Sequence, residues 1–255
     1  NPWIFEFRGQ PTVLRTFAEH YGAVIHPGFN QSAYLDSLEA SGLNLTRVVL
    51  AGFHANSGDV EDTLSPPLNT WLQPWPRTTA SGTAMDGFGK WNLAAWNATY
   101  FNRLRAFIQA ASDRGIVVEL TFFNTYYEEH QWELSPFKPT NNVQGIGPTN
   151  RYDSMRPVDS NLLYRQTEVV RKIVREVNEF DNVYFEIQNE PFWNERYAGN
   201  YQEAAFHNTM LAAIRDEEST LPRQHLVAHN YPQILDGLTD DYDIINTHYP
   251  FAVPS

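Results

Sequence analysis

The sequence predicts an α/β protein of the (β/α)8 TIM barrel type. Three observations carry that expectation. β-rich runs alternate with helical runs six times along 255 residues. The β-rich runs lie too far apart for hairpins, so crossover helices must join parallel strands. The two longest connections, residues 51–90 and 123–159, both follow strands, and in a barrel the loops after strands build the C-terminal face where active sites lie. Six units are two short of closure. The chain is therefore read as a single catalytic barrel domain over residues 1–255, expected to be an incomplete stretch with strands seven and eight missing.

Each element has a local reason. Residues 3–7, the turn-like Arg8-Gly9-Gln10-Pro11 and residues 12–17 read as a short hairpin whose second arm is strand one. A helical run over 31–40 closes at Gly42. Residues 45–50 are apolar apart from Thr46 and Arg47, the pattern of a strand covered on both faces. Over 91–114 the residues Trp96, Tyr100, Leu104, Phe107 and Ile108 recur at helical spacing up to Gly115, and strand three follows at 116–122. Residues 161–180 place Leu163, Val170, Ile173, Val174 and Val177 on one stripe, before strand four at 183–187. A helix over 201–218, strand five at 226–228, a helical turn at 234–238 and strand six at 244–247 complete the pattern.

Composition removes several kinds of function. The net charge is -12, with 18 Lys plus Arg against 30 Asp plus Glu, which repels phosphate backbones and anionic membrane surfaces. Neither nucleic acid nor a membrane is expected as a partner, and no apolar stretch approaches the roughly 20 residues of a membrane span. The absence of cysteine removes disulfides, zinc-thiolate sites and thiol nucleophiles. No glycine-rich phosphate loop is present, so no cofactor is expected. Oligomeric state is not encoded in any pattern seen.

The long connections are aromatic. The first holds Trp71 and Trp75 among four prolines, and the second holds Tyr126, Tyr127, Trp132, Phe137 and Tyr152. Each ring on its own could simply pin its loop. Together they suggest a cleft for ligands with one flat apolar side, such as sugar rings.

The most informative stretch runs from Asn182 to Pro191, a buried-type strand ending in Asn189-Glu190-Pro191 with Phe192, Trp193 and Tyr197 beyond. It resembles the fourth strand of the clan of retaining glycoside hydrolases with a (β/α)8 barrel, the cellulase-like, family 5-like group. The resemblance implies that Glu190 is the general acid/base and that Asn189 contacts the sugar 2-hydroxyl. Such chemistry needs a carboxyl group that stays protonated near neutrality, which partial burial and a neighbouring carboxylate can supply. The competing reading of Glu190 is a loop glutamate capping the next helix.

Two further stretches are similar to the same clan. Gly42-Leu43-Asn44-Leu45-Thr46-Arg47-Val48 resembles its second strand, which implies that Arg47 supports the nucleophile carboxylate. A lone Arg in an apolar run needs a carboxylate partner in any case, and Glu119 or Glu186 could be that partner. His248-Tyr249 resembles the strand-six His and Tyr that line the scissile subsite. Strand-end polar residues complete the expected ring: Glu19 and His20, His54, Asn124 and Tyr126, and Asn230 and Tyr231, with Trp132 and Trp193 as further substrate contacts. Glu186 precedes Glu190 by four residues, so strand alternation puts both on the interior side, with Glu186 deeper and paired to an Arg.

A retaining mechanism also needs a nucleophile about 5 to 5.5 Å from the acid/base. No glutamate follows Glu218 and no acidic residue follows Asp243, so the nucleophile is expected beyond Ser255. The resemblance implies hydrolysis of a β-linked polysaccharide or oligosaccharide and an extracellular or periplasmic location. Two other readings compete: a non-catalytic glycan-binding relative, and a metal-dependent hydrolase using His20, His54 and His248. Those histidines stand singly, without metal-ligand spacing.

Overall fold

A computed structural model describes residues 4–16, 20–55, 66–191, 203–230 and 241–248. At its centre is a five-stranded, wholly parallel sheet of β3 (Leu45–Val49), β6 (Val117–Asn124), β7 (Val183–Asn189), β8 (Val227–His229) and β9 (Ile244–Ile245), ordered as in the sequence. Leu45 pairs with Val117, Val118 with Val183, Phe185 with Val227 and Ala228 with Ile244. Each strand therefore lies beside its predecessor, as in a barrel followed in sequence. The crossovers run through α3 (Ala98–Asp113), α5 (Ser160–Val177) and α6 (Glu203–Glu218), while α2 (Gln31–Ala40) leads into β3. β6 and β7 are buried at every position, as expected of strands covered on both faces.

The helix ends follow from capping side chains. Asn30, Asn97 and Asp159 accept from the first-turn amides of α2, α3 and α5. α5 buries Leu162, Gln166, Val169, Val170, Ile173, Val174 and Val177, leaving Leu163 half-buried. α3 begins seven residues later than its periodicity suggests. Residues just before it are taken by a hairpin of β4 (Arg77–Thr83) and β5 (Gly89–Trp91), in which the Arg77 guanidinium sits 3.8 Å from the centre of the Trp91 ring and pairs with Asp86.

Strand one is the main departure. The first hairpin forms, as β1 (Phe5–Phe7) and β2 (Gln10–Thr12), but residues 13–16 are not a strand. They still run beside β3. Asn44 accepts from Arg15 N at 2.7 Å through Oδ1 and donates to Val13 O at 3.0 Å through Nδ2. The Asn44 backbone N–H also donates to Arg15 O at 3.1 Å, so side-chain and backbone bonds mix here and no regular ladder forms. At the opposite end of the hairpin, Arg8 clasps Asp181 at 2.9 Å and Ser112, tying it to the loop that precedes β7 and to the last turn of α3. The helical turn expected at 234–238 lies outside the described residues.

The described parts of both long connections are folded rather than open. The second contains α4 (Glu129–Leu134), started by a reciprocal capping box between Glu128 and Gln131. α1 (Gly22–Ile25) is a further short helix that the periodicity did not reveal. Trp71, Trp75, Trp91, Trp132 and Phe137 all lie in the hydrophobic core, so these rings pin the loops. Gly52 marks the tightest approach. Its φ is +80°, and a Cβ there would meet the Phe137 ring at 2.5 Å and the Tyr126 hydroxyl at 3.1 Å. Gly52→Ala therefore combines left-handed strain with a clash, and is expected to cost about 1–3 kcal/mol, read as a lower denaturation midpoint in urea; an unchanged midpoint would contradict this packing.

Candidate active site at the C-terminal ends of the strands

Arg47 in β3 is the centre of a buried polar cluster. It is 6% exposed, beside Glu119 at 3% and Glu186 at 0%. Its Nη2 bonds to Glu186 Oε1 and donates to Asn189 Oδ1 at 2.9 Å, while its Nε lies 3.4 Å from Glu119 Oε1. Asn246, just past β9, donates to Glu186 at 2.7 Å and to Glu119 at 3.2 Å, and the Tyr184 hydroxyl donates to Glu119 at 2.8 Å. One guanidinium thus faces two carboxylates. Burial, then the charge of Glu186, pushes the Glu119 carboxyl well above its ordinary range.

Above this layer sits Glu190. Its Oε2 accepts from the Tyr127 hydroxyl at 2.7 Å, and its Oε1 lies 2.9 Å from His248 Nδ1. The Tyr127 oxygen also accepts from Asn189 Nδ2 at 2.7 Å. Asn189 Nδ2 can only donate, so the tyrosine proton is directed at Glu190. Burial and the charge of Glu190 raise the Tyr127 hydroxyl far above its ordinary range, so it remains a donor into alkali. Glu190 itself has φ +49°. A non-glycine residue in that region is strained by about 1–3 kcal/mol, and such strain concentrates at functional positions.

The route by which Glu186 and Glu190 reach the interior differs from simple alternation. Gln188 lies between them and should share their side. Its amide instead donates to Thr125 Oγ1 at 3.0 Å and its carbonyl meets His207 of α6 at 3.1 Å, while Asn189 turns inward to Arg47. β6 changes phase in step: Thr121 reaches Glu186, whereas Phe123 packs on Phe206 of α6. The left-handed backbone at Glu190, whose carbonyl accepts from Thr125 Oγ1 at 2.9 Å, then returns the carboxylate to the interior.

Six of the residues singled out in the sequence come together here: Arg47, Asn124, Asn189, Glu190, Asn230 and His248. Asn124 Oδ1 accepts from Asn189 at 2.6 Å, and Asn230 Nδ2 lies 2.8 Å from His248 Nε2. The two Nδ2 protons of Asn189 go to Asn124 and Tyr127, so a sugar hydroxyl would reach it through the Oδ1 lone pair that Arg47 leaves open. A cavity of about 490 Å³ opens beside the cluster, lined by Arg47, Glu119, Tyr184, Asn246 and His248 together with apolar residues such as Phe5 and Ile244.

Four others are placed elsewhere. Tyr126 and Trp132, expected as substrate contacts, have no exposed surface; Tyr126 donates to Gly52 O at 2.8 Å and its ring packs edge-on against Trp132, so both are packing residues. His54 is buried against Trp71 with Nε2 2.8 Å from Pro66 O. His20 is half-buried on Phe29, ring centres 3.9 Å apart, and burial pushes it down to about 4, which keeps it neutral. Glu19, Trp193, Tyr231 and Tyr249 lie outside the described residues. Sequence reading missed Tyr127 and Asn246. Asn246 is two residues before His248, so period-two alternation could have paired them; nothing in the pattern separates Tyr127 from Tyr126. Among the described residues no three His, Asp or Glu are grouped to hold a metal ion, and no helix is long and apolar enough to cross a membrane.

Two stability measurements test the cluster. Arg47→Met leaves two buried carboxylates without their cation and is expected to destabilise by about 3–5 kcal/mol, measured by urea unfolding at neutral pH. Because the Glu119 carboxyl is raised in the folded state, only the unfolded chain ionises freely as pH climbs above 4.5, the ordinary value. Stability contributed through Glu119 is thus greatest below that value and falls as pH rises toward the folded one. Glu119→Gln should flatten that decline between pH 5 and 8; identical slopes in the two proteins would contradict it.

Comparison with known proteins bears on the fold and the family. No curated protein matches in sequence. Among solved structures the chain is similar to an exo-β-1,4-mannosidase from Opitutaceae bacterium strain TAV5, at 14% identity over 96% of this chain and 40% of that one, TM-score 0.59. It is similar also to an endo-1,4-β-mannanase from Rhizomucor miehei, at 14% identity over 89% and 58%, TM-score 0.56. A third is endo-glycoceramidase II from Rhodococcus sp. with a cellobiose-like isofagomine, at 15% identity over 96% and 58%, TM-score 0.57. The chain thus spans between 40% and 58% of the length of these proteins. At such identities they show the (β/α)8 fold, of which the parallel sheet described above is a part. The cellulase family profile matches residues 5–249, and the chain belongs to the cellulase family, glycosyl hydrolase family 5.

Proposed function

We propose that the complete protein is a retaining glycoside hydrolase that cleaves a β-linked polysaccharide or oligosaccharide by double displacement, with Glu190 as general acid/base. One observation carries the reading: a carboxyl group at the end of a central strand, on strained backbone, held by Tyr127 and His248 directly above a clamped Arg47 and Asn189. The membership in family 5 supports glycosidase chemistry, and the β-linkage is suggested by the named mannosidase and mannanase neighbours.

In the first step Glu190 gives its proton to the leaving glycosidic oxygen while a second carboxylate attacks the anomeric carbon. In the second step Glu190 takes a proton from the water that releases the sugar. The Tyr127 hydroxyl and His248 hold the carboxylate that forms when the proton leaves. Glu186 and Glu119 are engaged by Arg47 beneath the site, which suits them to structural charge. The nucleophile is assigned to a glutamate beyond Ser255. A polymeric substrate accords with an extracellular or periplasmic location.

The test is Glu190→Gln in the complete protein. Replacing the acid should lower hydrolysis of a responsive β-glycan by about 10²–10⁴-fold with substrate binding retained, measured as release of reducing ends. Wild-type turnover by the variant would remove Glu190 from the role, and a wild-type protein that binds oligosaccharides without releasing product would be a glycan-binding relative.

A further inference from the structure

Asn230 is not needed to explain binding or proton transfer, yet it touches both layers of the cluster. It is fully buried at the end of β8. Its Nδ2 lies 3.3 Å from Glu186 Oε2 and 2.8 Å from His248 Nε2, and the other ring nitrogen of His248 lies 2.9 Å from Glu190 Oε1. We propose that Asn230 is a positioning residue that fixes the tautomer of His248, so that this ring always presents its proton, on Nδ1, to Glu190.

Glu186 takes hydrogen bonds from Arg47, Asn246 and Thr121, so it faces Asn230 as an acceptor. The amide atom of Asn230 nearest to it must then be the nitrogen. That orientation is kept although Asn230 Oδ1 has no hydrogen-bond partner among the described residues. An N–H directed at His248 Nε2 requires a lone pair there, so the ring proton sits on Nδ1, facing Glu190. Protonating Nε2 as well would set N–H against N–H. Asn230 thereby leaves the Nδ1–H of His248 as the ring's donor to Glu190.

Other ionisable groups belong to the elements around the ring. Glu190 and Glu186 lie on the β7 side, Tyr184 lower on that strand, Glu119 on β6, Arg47 on β3, Tyr127 in the loop after β6 and His229 on β8. The polar chain from Glu186 through Asn230 and His248 to Glu190 links a deep structural charge to the reacting carboxyl group.

This inference rests on Glu190 being the acid/base, and two measurements on the complete protein separate the two. Long-range proton–nitrogen NMR of the wild type should show His248 protonated on Nδ1 and bare on Nε2 at neutral pH; a proton on Nε2 overturns the proposal whatever Glu190 does. Asn230→Leu should free Nε2 to take a proton, pairing an imidazolium with the Glu190 carboxylate and moving the alkaline limb of kcat/KM to lower pH by about one to three units. Asn230→Asp, which accepts from Nε2, should move it the same way. Loss of activity without movement of the limb in either variant would make Asn230 merely structural. Should Glu190→Gln retain turnover while the Nδ1 tautomer is found, the acid/base reading fails and the tautomer assignment stands.

Discussion

The ion cluster around Arg47 is the constraint on which the rest of the site depends. A guanidinium inside a barrel is tolerated only with its charge matched and its protons used, and here Glu186, Glu119 and Asn189 do both. These three residues come from two strands and, with Arg47, join β3, β6 and β7. The cluster therefore fixes the relative height of the strands at the level where the site begins. Asn189 cannot rotate without releasing Arg47, and Tyr127 is oriented by Asn189. The position of the Glu190 carboxylate is the last link in that sequence.

Below Glu190 two carboxyl groups share one guanidinium. Burial first, and then the charge of Glu186, raises the Glu119 carboxyl. The Glu190 carboxyl group meets this acidic layer from above, while Tyr127 and His248 face it from the side of the site. Such surroundings suit a group that must both give and take a proton near neutrality. The strained backbone at Glu190 belongs to the same design, since a relaxed extended conformation would continue the strand and carry the carboxylate away from its donors.

Much of this was legible in the sequence because it rests on local chemistry. The helical run over 31–40 closed by Gly42 marks α2, the apolar run with one Arg marks β3, and the run into Asn189-Glu190-Pro191 marks β7. The parts that were not legible depend on contacts distant in the chain. Asn44 bonding to residues 13 and 15 dissolves the expected first strand. The Arg77 and Trp91 stacking draws a hairpin out of what reads as a loop and shortens α3. The choice between Tyr126 and Tyr127 is made by where Ser135, Gly52 and Glu190 lie in space, which no periodicity encodes. Trp132 and its fellow loop rings were split correctly only by burial, since a ring that stacks on sugar and one that fills a core have the same side chain.

The central claim is that Glu190 supplies the proton to a departing oxygen. The most direct test compares Glu190→Ala with wild type, in the complete protein, on two β-glycosides that differ only in the acidity of the leaving group. A good leaving group departs without a proton, so the account predicts that the variant keeps its rate of glycosidic cleavage on that substrate and loses it on the poor one, with added azide restoring turnover at the vacated position. An equal loss on both substrates, with no rescue by azide, would contradict it.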